Sequence, residues 1–130
     1  MPSEFFPVES LKALISHHIA LMERYDVSEK EFSLIYFDFG KYKDDIEIKR
    51  TIQTVFRDGD MIFETRNGDY IILLPKASWQ FAFDVLKELQ EFLNEDVKDS
   101  IVTYPDDGNN ADEILKSLKK VVLENHNITI

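Results

Sequence analysis

The chain has 130 residues, 44% of them apolar, with no cysteine and with 25 acids against 15 bases, for a net charge of −10. Such a length and apolar content predict a single domain over 1–130, an N-terminal helical segment (1–30) followed by a core (31–126). The charge, with no basic patch to offset it, excludes nucleic acid as a partner. The missing cysteines exclude disulfides, thiolate metal sites and cysteine nucleophiles, and apolar runs too short for a bilayer, after a start that is no signal peptide, predict a cytoplasmic protein without a membrane partner.

Leu11, Leu14, Ile15, His18, Met22 and Tyr25 recur at helical spacing, so a first amphipathic helix is expected over roughly 8–25. His17 and His18 point about 100° apart on such a helix and cannot face one metal ion. Phe5 and Phe6, between Pro2 and Pro7, are expected to pack onto the core. The run EFSLIYFDF (31–39) carries apolar residues at both parities, which suits a central strand covered on both faces, with Asp38 at its carboxyl end.

A helix over 44–56 follows, with Ile48, Ile52, Val55 and Phe56 on one face, stopped by the DGD at 58–60. MIFET and YIILLP are then two strands joined at Asn67-Gly68, the dipeptide suited to a type I′ hairpin. Ser78 caps a third helix with Trp79, Ala82, Phe83, Leu86, Leu89 and Leu93 as its buried stripe. SIVTY (100–104) is a further strand closed by a Pro105–Gly108 turn, and Asn110 with Glu113 opens a last helix buried through Ile114, Leu115, Leu118, Val121 and Val122. The order helix, β-α-β-β-α-β, helix predicts an α+β fold of ferredoxin-like type, a mostly antiparallel sheet with helices on its faces.

Three blocks carry a family resemblance. FSLIYFDFGKYK (32–43), RDGDMIFETRNGDYIILLP (57–75) and IVTYPDDG (101–108) are similar, in the right order and on the right elements, to the first strand, the motif hairpin and the late strand and turn of GGDEF domains, the diguanylate cyclases. The resemblance implies that family's nucleotidyl-cyclase palm, in which the active members condense two GTP molecules into cyclic di-GMP. Aligned without gaps, the G-G-D-E-F run falls on Arg66, Asn67, Gly68, Asp69 and Tyr70. Side chains thus stand where glycines let backbone approach the nucleotide, and Gly68 has lost a carboxylate while Asp69 keeps an acid.

Asp38 matches the metal-binding strand aspartate, but the second aspartate of that run is Gly40. Lys43 matches the family lysine, and the guanine-contacting asparagine falls on about Ile46. Phosphoryl transfer rests on positioning and charge neutralisation, so such a site has little left to catalyse with. The expectation is a degenerate member: no enzyme, no cofactor, no metal and no catalytic residue, with Asp38, Arg66, Asn67, Gly68, Asp69 and Tyr70 as vestigial positions.

Arg57 and Asp60 stand five residues ahead of the aligned motif, as does the R-x-x-D pair that binds cyclic di-GMP in many family members. A guanidinium suits phosphate or a guanine edge, and a carboxylate accepts from guanine N–H groups. This reading expects both residues exposed beside one shallow surface, with Arg50 on nearly the same helical face as a second cation. The plainer reading is a helix end followed by a turn. Three functions follow in order: a silent signalling domain that receives cyclic di-GMP, a protein-interaction module with a vestigial nucleotide site, and a weakly active cyclase. The sequence leaves the partner and the oligomeric state open.

Overall fold

The structure is a computed structural model and describes residues 4–25, 30–94 and 100–130. Its elements run β1 (Glu4–Pro7), α1 (Leu11–Arg24), β2 (Phe32–Phe37), α2 (Ile46–Gln53), β3 (Met61–Glu64), β4 (Tyr70–Pro75), α3 (Trp79–Leu93), β5 (Ile101–Tyr104) and α4 (Ala111–His126). They build one five-stranded sheet in the order β1-β3-β4-β2-β5. Only the β1–β3 pair is parallel; the other three pairings are antiparallel.

Strand β2 lies between β4 and β5, and all six of its residues are buried. The two parities explain why. Phe32, Leu34 and Tyr36 enter a core with Ile15, Ile19, Ile114 and Leu118 of α1 and α4, while Ile35 and Phe37 enter a second core with Ala82, Leu86 and Leu89 of α3. Each such large side chain, fully removed from water, contributes roughly 1.5–3 kcal/mol. Ser33 is the polar exception, and it is satisfied: its hydroxyl donates to the Ala77 carbonyl at 2.9 Å and lies 2.9 Å from Thr103 Oγ1.

The helix starts follow from local chemistry. Asp45 accepts from the Ile48 amide, Ser78 from the Phe81 amide and Asn110 from the Glu113 amide, each filling a donor that the first helical turn leaves open. Glu113 returns a bond from the Asn109 amide rather than from the cap residue itself.

Four expectations need correction. Residues 4–7 form a fifth strand, with Phe6 opposite Phe63 and their rings 5.6 Å apart; the side chain of Phe5 lies outside the described residues. Helix α2 stops at Gln53, three residues short of Phe56, because single turns at Thr54, Val55 and Phe56 replace its ladder. Trp79, the first residue of α3, is 43% exposed and stacks on Phe83 at 5.2 Å instead of entering the core. The hairpin loop has three residues, 66–68, between the paired Thr65 and Asp69, and only Gly68 takes a positive φ, 85°. That pattern is a type I turn closed by a glycine bulge, not a type I′ turn.

Candidate functional site

The carboxyl end of β2 and the hairpin loop meet at one end of the sheet. The Gly40 amide donates to Asp38 Oδ1 at 2.8 Å, and a 3-10 turn at Gly40–Tyr42 then leads to Lys43. Asp69 faces this turn and is fully buried. Its Oδ2 accepts from the Tyr36 hydroxyl at 2.5 Å and its Oδ1 from the Phe39 amide at 3.1 Å. The Lys43 ammonium stands 3.4 Å from Asp69 Oδ2 and 3.9 Å from Asp38 Oδ1. The strand aspartate and the acid of the aligned motif do come together, and the cation they share is a lysine.

Burial pushes the Asp69 carboxyl above the ordinary range, and the negative Asp38 adds to the rise, while the bonds from Tyr36 and Phe39 and the charge of Lys43 oppose it. The Tyr36 hydroxyl is pushed well above its usual value, first by burial and then by the Asp69 carboxylate that it serves. A divalent ion of the kind the resemblance implies does not fit these residues. Both Asp69 oxygens already accept bonds, the third ligand direction holds an ammonium, and no group of three His, Asp or Glu able to hold a metal occurs among the described residues.

The loop itself is occupied as well. Lys49 Nζ donates to the Gly68 carbonyl at 2.7 Å and lies over the Phe39 and Tyr70 rings at 5.0 and 5.6 Å. A β-carbon at Gly68 would stand 3.4 Å from that same ammonium. Arg66 points outward, 86% exposed, with a 3.5 Å pair to Glu9, and Asn67 is exposed beside it. Lys49 was invisible as a site residue in the sequence, where it reads as one more cation on an amphipathic helix.

His126 also belongs to this end. Its Nδ1 lies 3.4 Å from Asp38 Oδ2 and its Nε2 lies 2.8 Å from Ser100 Oγ. The order hydroxyl, imidazole, carboxylate is that of a nucleophilic relay. Ser100 is fully buried, however, and its oxygen also accepts from Asn125 Nδ2 at 3.2 Å, so no substrate carbonyl can reach it. The three residues fasten the end of α4 to the start of β5. Sequence spacing alone held no sign of this, because the partners are 26 and 88 residues from His126. Of the other histidines, His17 is exposed, and His18 packs edge-on against Phe32 at 5.2 Å with its Nε2 buried and unpaired.

Arg57 and Asp60 lie at the opposite end of the hairpin, and here the expectation of two exposed residues fails for one of them. Asp60 is 2% exposed. Its Oδ2 accepts from the Arg57 amide at 2.7 Å, and its Oδ1 accepts from Arg57 Nη2 at 3.0 Å and Nε at 3.2 Å. The guanidinium also donates to the Pro75 carbonyl at 2.9 Å and covers the Phe81 ring at 4.9 Å. A ligand that drew Arg57 away would leave a buried carboxylate without its counter-ion, a penalty of about 3–5 kcal/mol. Arg50 is exposed on α2, but that helix ends before Arg57, so the two arginines share no helical face.

No protein-family model matches this sequence, and no curated protein does. Solved structures do match in fold. A sensory box/GGDEF family protein from Caulobacter crescentus CB15 superposes with a TM-score of 0.69 at 16% identity, over 94% of this chain and 93% of that one. The GGDEF domain of PA1120 (TpbB or YfiN) from Pseudomonas aeruginosa PAO1 gives 0.63 at 12% identity, over 95% and 86%. The mixed α+β architecture is that of GGDEF domains.

Proposed function

We propose that this chain is a non-catalytic regulatory domain on the GGDEF fold, a signalling module that acts through protein contacts and has lost the synthesis of cyclic di-GMP. The observation that carries this reading is that both oxygens of Asp69 are already bonded, by the Tyr36 hydroxyl and the Phe39 amide, while Gly40 and Gly68 stand where the resemblance implies carboxylates. Catalysis of phosphoryl transfer needs open carboxylates for metal ions and bare backbone for the phosphates. At this end of the sheet the Asp69 oxygens serve Tyr36 and Phe39, and the Gly68 carbonyl serves Lys49. The ligand chemistry has been turned inward. The start of α3 meanwhile presents Trp79, 43% exposed, beside Phe81 under the Arg57 guanidinium, a surface of the aromatic and arginine kind that protein partners cover.

Incubation with GTP and magnesium is expected to yield no cyclic di-GMP by nucleotide chromatography, and glycines restored at 66 and 67 are expected to leave it absent. Product that disappears in Asp69→Ala would overturn the reading. Titration with cyclic di-GMP at roughly 100 μM, far above a micromolar constant, is expected to be flat because Asp60 already holds Arg57. A saturable heat that is lost in Arg57→Ala would reinstate the receptor.

A further inference from the structure

Helix α1 lies on the sheet through Leu11, Ile15, Ile19 and Met22, and the half-buried His18 enters the same contact, its ring 5.2 Å from that of Phe32. Phe32 is itself fully buried and stacked on Tyr104 of β5 at 5.1 Å. The Nε2 edge of His18 is shut off from water and has no hydrogen-bond partner among the described residues. Buried polar atoms are nearly always paired, so an orphan of this kind calls for a cause.

The surroundings supply no counter-charge. One turn away on α1 stand Leu14, Ile15, Leu21 and Met22, all apolar. From the facing side α4 brings Ala111, Ile114, Leu118 and Val122 to this core. The Lys12–Asp112 pair that joins α1 to α4 lies six residues back along α1, and Asp107, in the turn after β5, spends its carboxylate on the Thr103 amide. Lys30 and Glu31, just ahead of Phe32, carry opposite charges. His17 is the neighbour whose charge bears on the ring, and it opposes protonation.

The two forms of the imidazole therefore fare differently. With its proton on Nδ1 the neutral ring turns only a lone pair to the core, whereas the imidazolium must place an N–H and part of a charge there with nothing to receive either. Burial accordingly holds the His18 imidazole below its ordinary range, and His17 adds to the depression.

We propose that His18 is a proton-sensitive lock on α1: the neutral imidazole lets the helix lie on the sheet, and protonation drives the helix off so that the ring reaches water. An undocked imidazole titrates at about 6.5 and the docked one lower, so docking is fully favoured above that pH and loses ground as pH falls below it. None of these residues belongs to the hairpin site, so the inference goes beyond the regulatory reading above and does not depend on it.

The test is native-state amide hydrogen exchange at about pH 7.5 and about pH 5.5, on either side of the histidine range, corrected for the intrinsic effect of pH and run beside an NMR titration of the imidazoles. Protection at Ile15 and Ile19 is expected to fall by roughly three- to tenfold, the upper figure being the ceiling for one imidazole over that span. Ile35 and Ile72, in the core across the sheet, should hold their protection. His18→Leu and the polar but uncharged His18→Gln should each remove the fall, and His126→Gln should keep it. A His18 ring that titrates at or above about 6.5, protection that stays constant, a fall equal in both cores, or a fall that survives in the His18 variants would each overturn the lock.

Discussion

Asp60 and Asp69 are both buried carboxylates at the two ends of one hairpin, and they are stabilised in opposite ways. Asp60 receives a full counter-charge: the guanidinium of Arg57 bonds it with two nitrogens, and the Arg57 amide adds a third donor. Asp69 receives a neutral hydroxyl and a neutral amide, with its lysine farther off at 3.4 Å and a second acid across that lysine. The difference teaches that one hairpin can hold a buried carboxylate either by charge or by neutral donors. One acid sits in a structural ion pair, while the other carries an electrostatic deficit, expressed as a raised pKa.

Four substitutions sharpen that contrast. Asp60→Ala should cost the most, about 3 kcal/mol in chemical denaturation, because it removes the three bonds from the Arg57 amide, Nε and Nη2 that hold the loop between α2 and β3. A loss below roughly 1 kcal/mol would mean the pair is a surface pair of little consequence.

The second effect is read through pH. The folded pKa of Asp69 lies above its unfolded value of 3.8, so the folded state holds the proton longer. The stability from this group is complete below pH 3.8 and is lost as pH rises through the folded pKa. Asp69→Asn removes the titration, and its stability relative to the wild type should rise with pH from about 4 upward. A difference that is flat with pH would overturn the raised pKa of Asp69.

Gly68→Ala should cost about 1 kcal/mol, since a side chain would be held at a positive φ. Thermal melts that do not separate it from the wild type would show that the loop can change its turn type. Arg66→Ala, at an exposed position of the loop, should stay within about 0.5 kcal/mol. A larger loss would show that the pair with Glu9 ties the loop to the segment ahead of α1.

Much of this architecture is legible in the sequence, for reasons that particular residues make plain. The double-sided burial of β2 follows from apolar residues at both parities, and the starts of α3 and α4 follow from Ser78 and Asn110, whose side chains bond amides three residues on. What escapes is decided by distant partners. The four residues of β1 carry no period that marks a strand, and they form one because β3, 57 positions away, offers a free edge. Trp79 is read as core from its periodicity, but a helix's first residue can overhang the sheet it packs on.

The site divides along the same line. That Asp38 and Asp69 share one end follows from the aligned blocks, whereas the lysine between them depends on how the 3-10 turn after β2 aims a flexible side chain. The burial of Asp60 is hidden because a charged residue beside a glycine reads as surface until the guanidinium that screens it is placed.

The turn after β5 has a consequence for how molecules of this protein meet one another. Asp107 folds back on the strand before it, its carboxylate accepting from the Thr103 amide at 2.7 Å and its own amide donating to the Thr103 carbonyl at 2.8 Å. Thr103 on this outermost strand therefore offers a neighbour neither donor nor acceptor. At the other margin the sheet ends in only four residues, the last of them Pro7, which has no N–H to give. Open sheets with bare margins invite strand-by-strand growth into fibrils; here the bare margin is shortened, by the turn at Thr103 on one side and by the missing donor of Pro7 on the other.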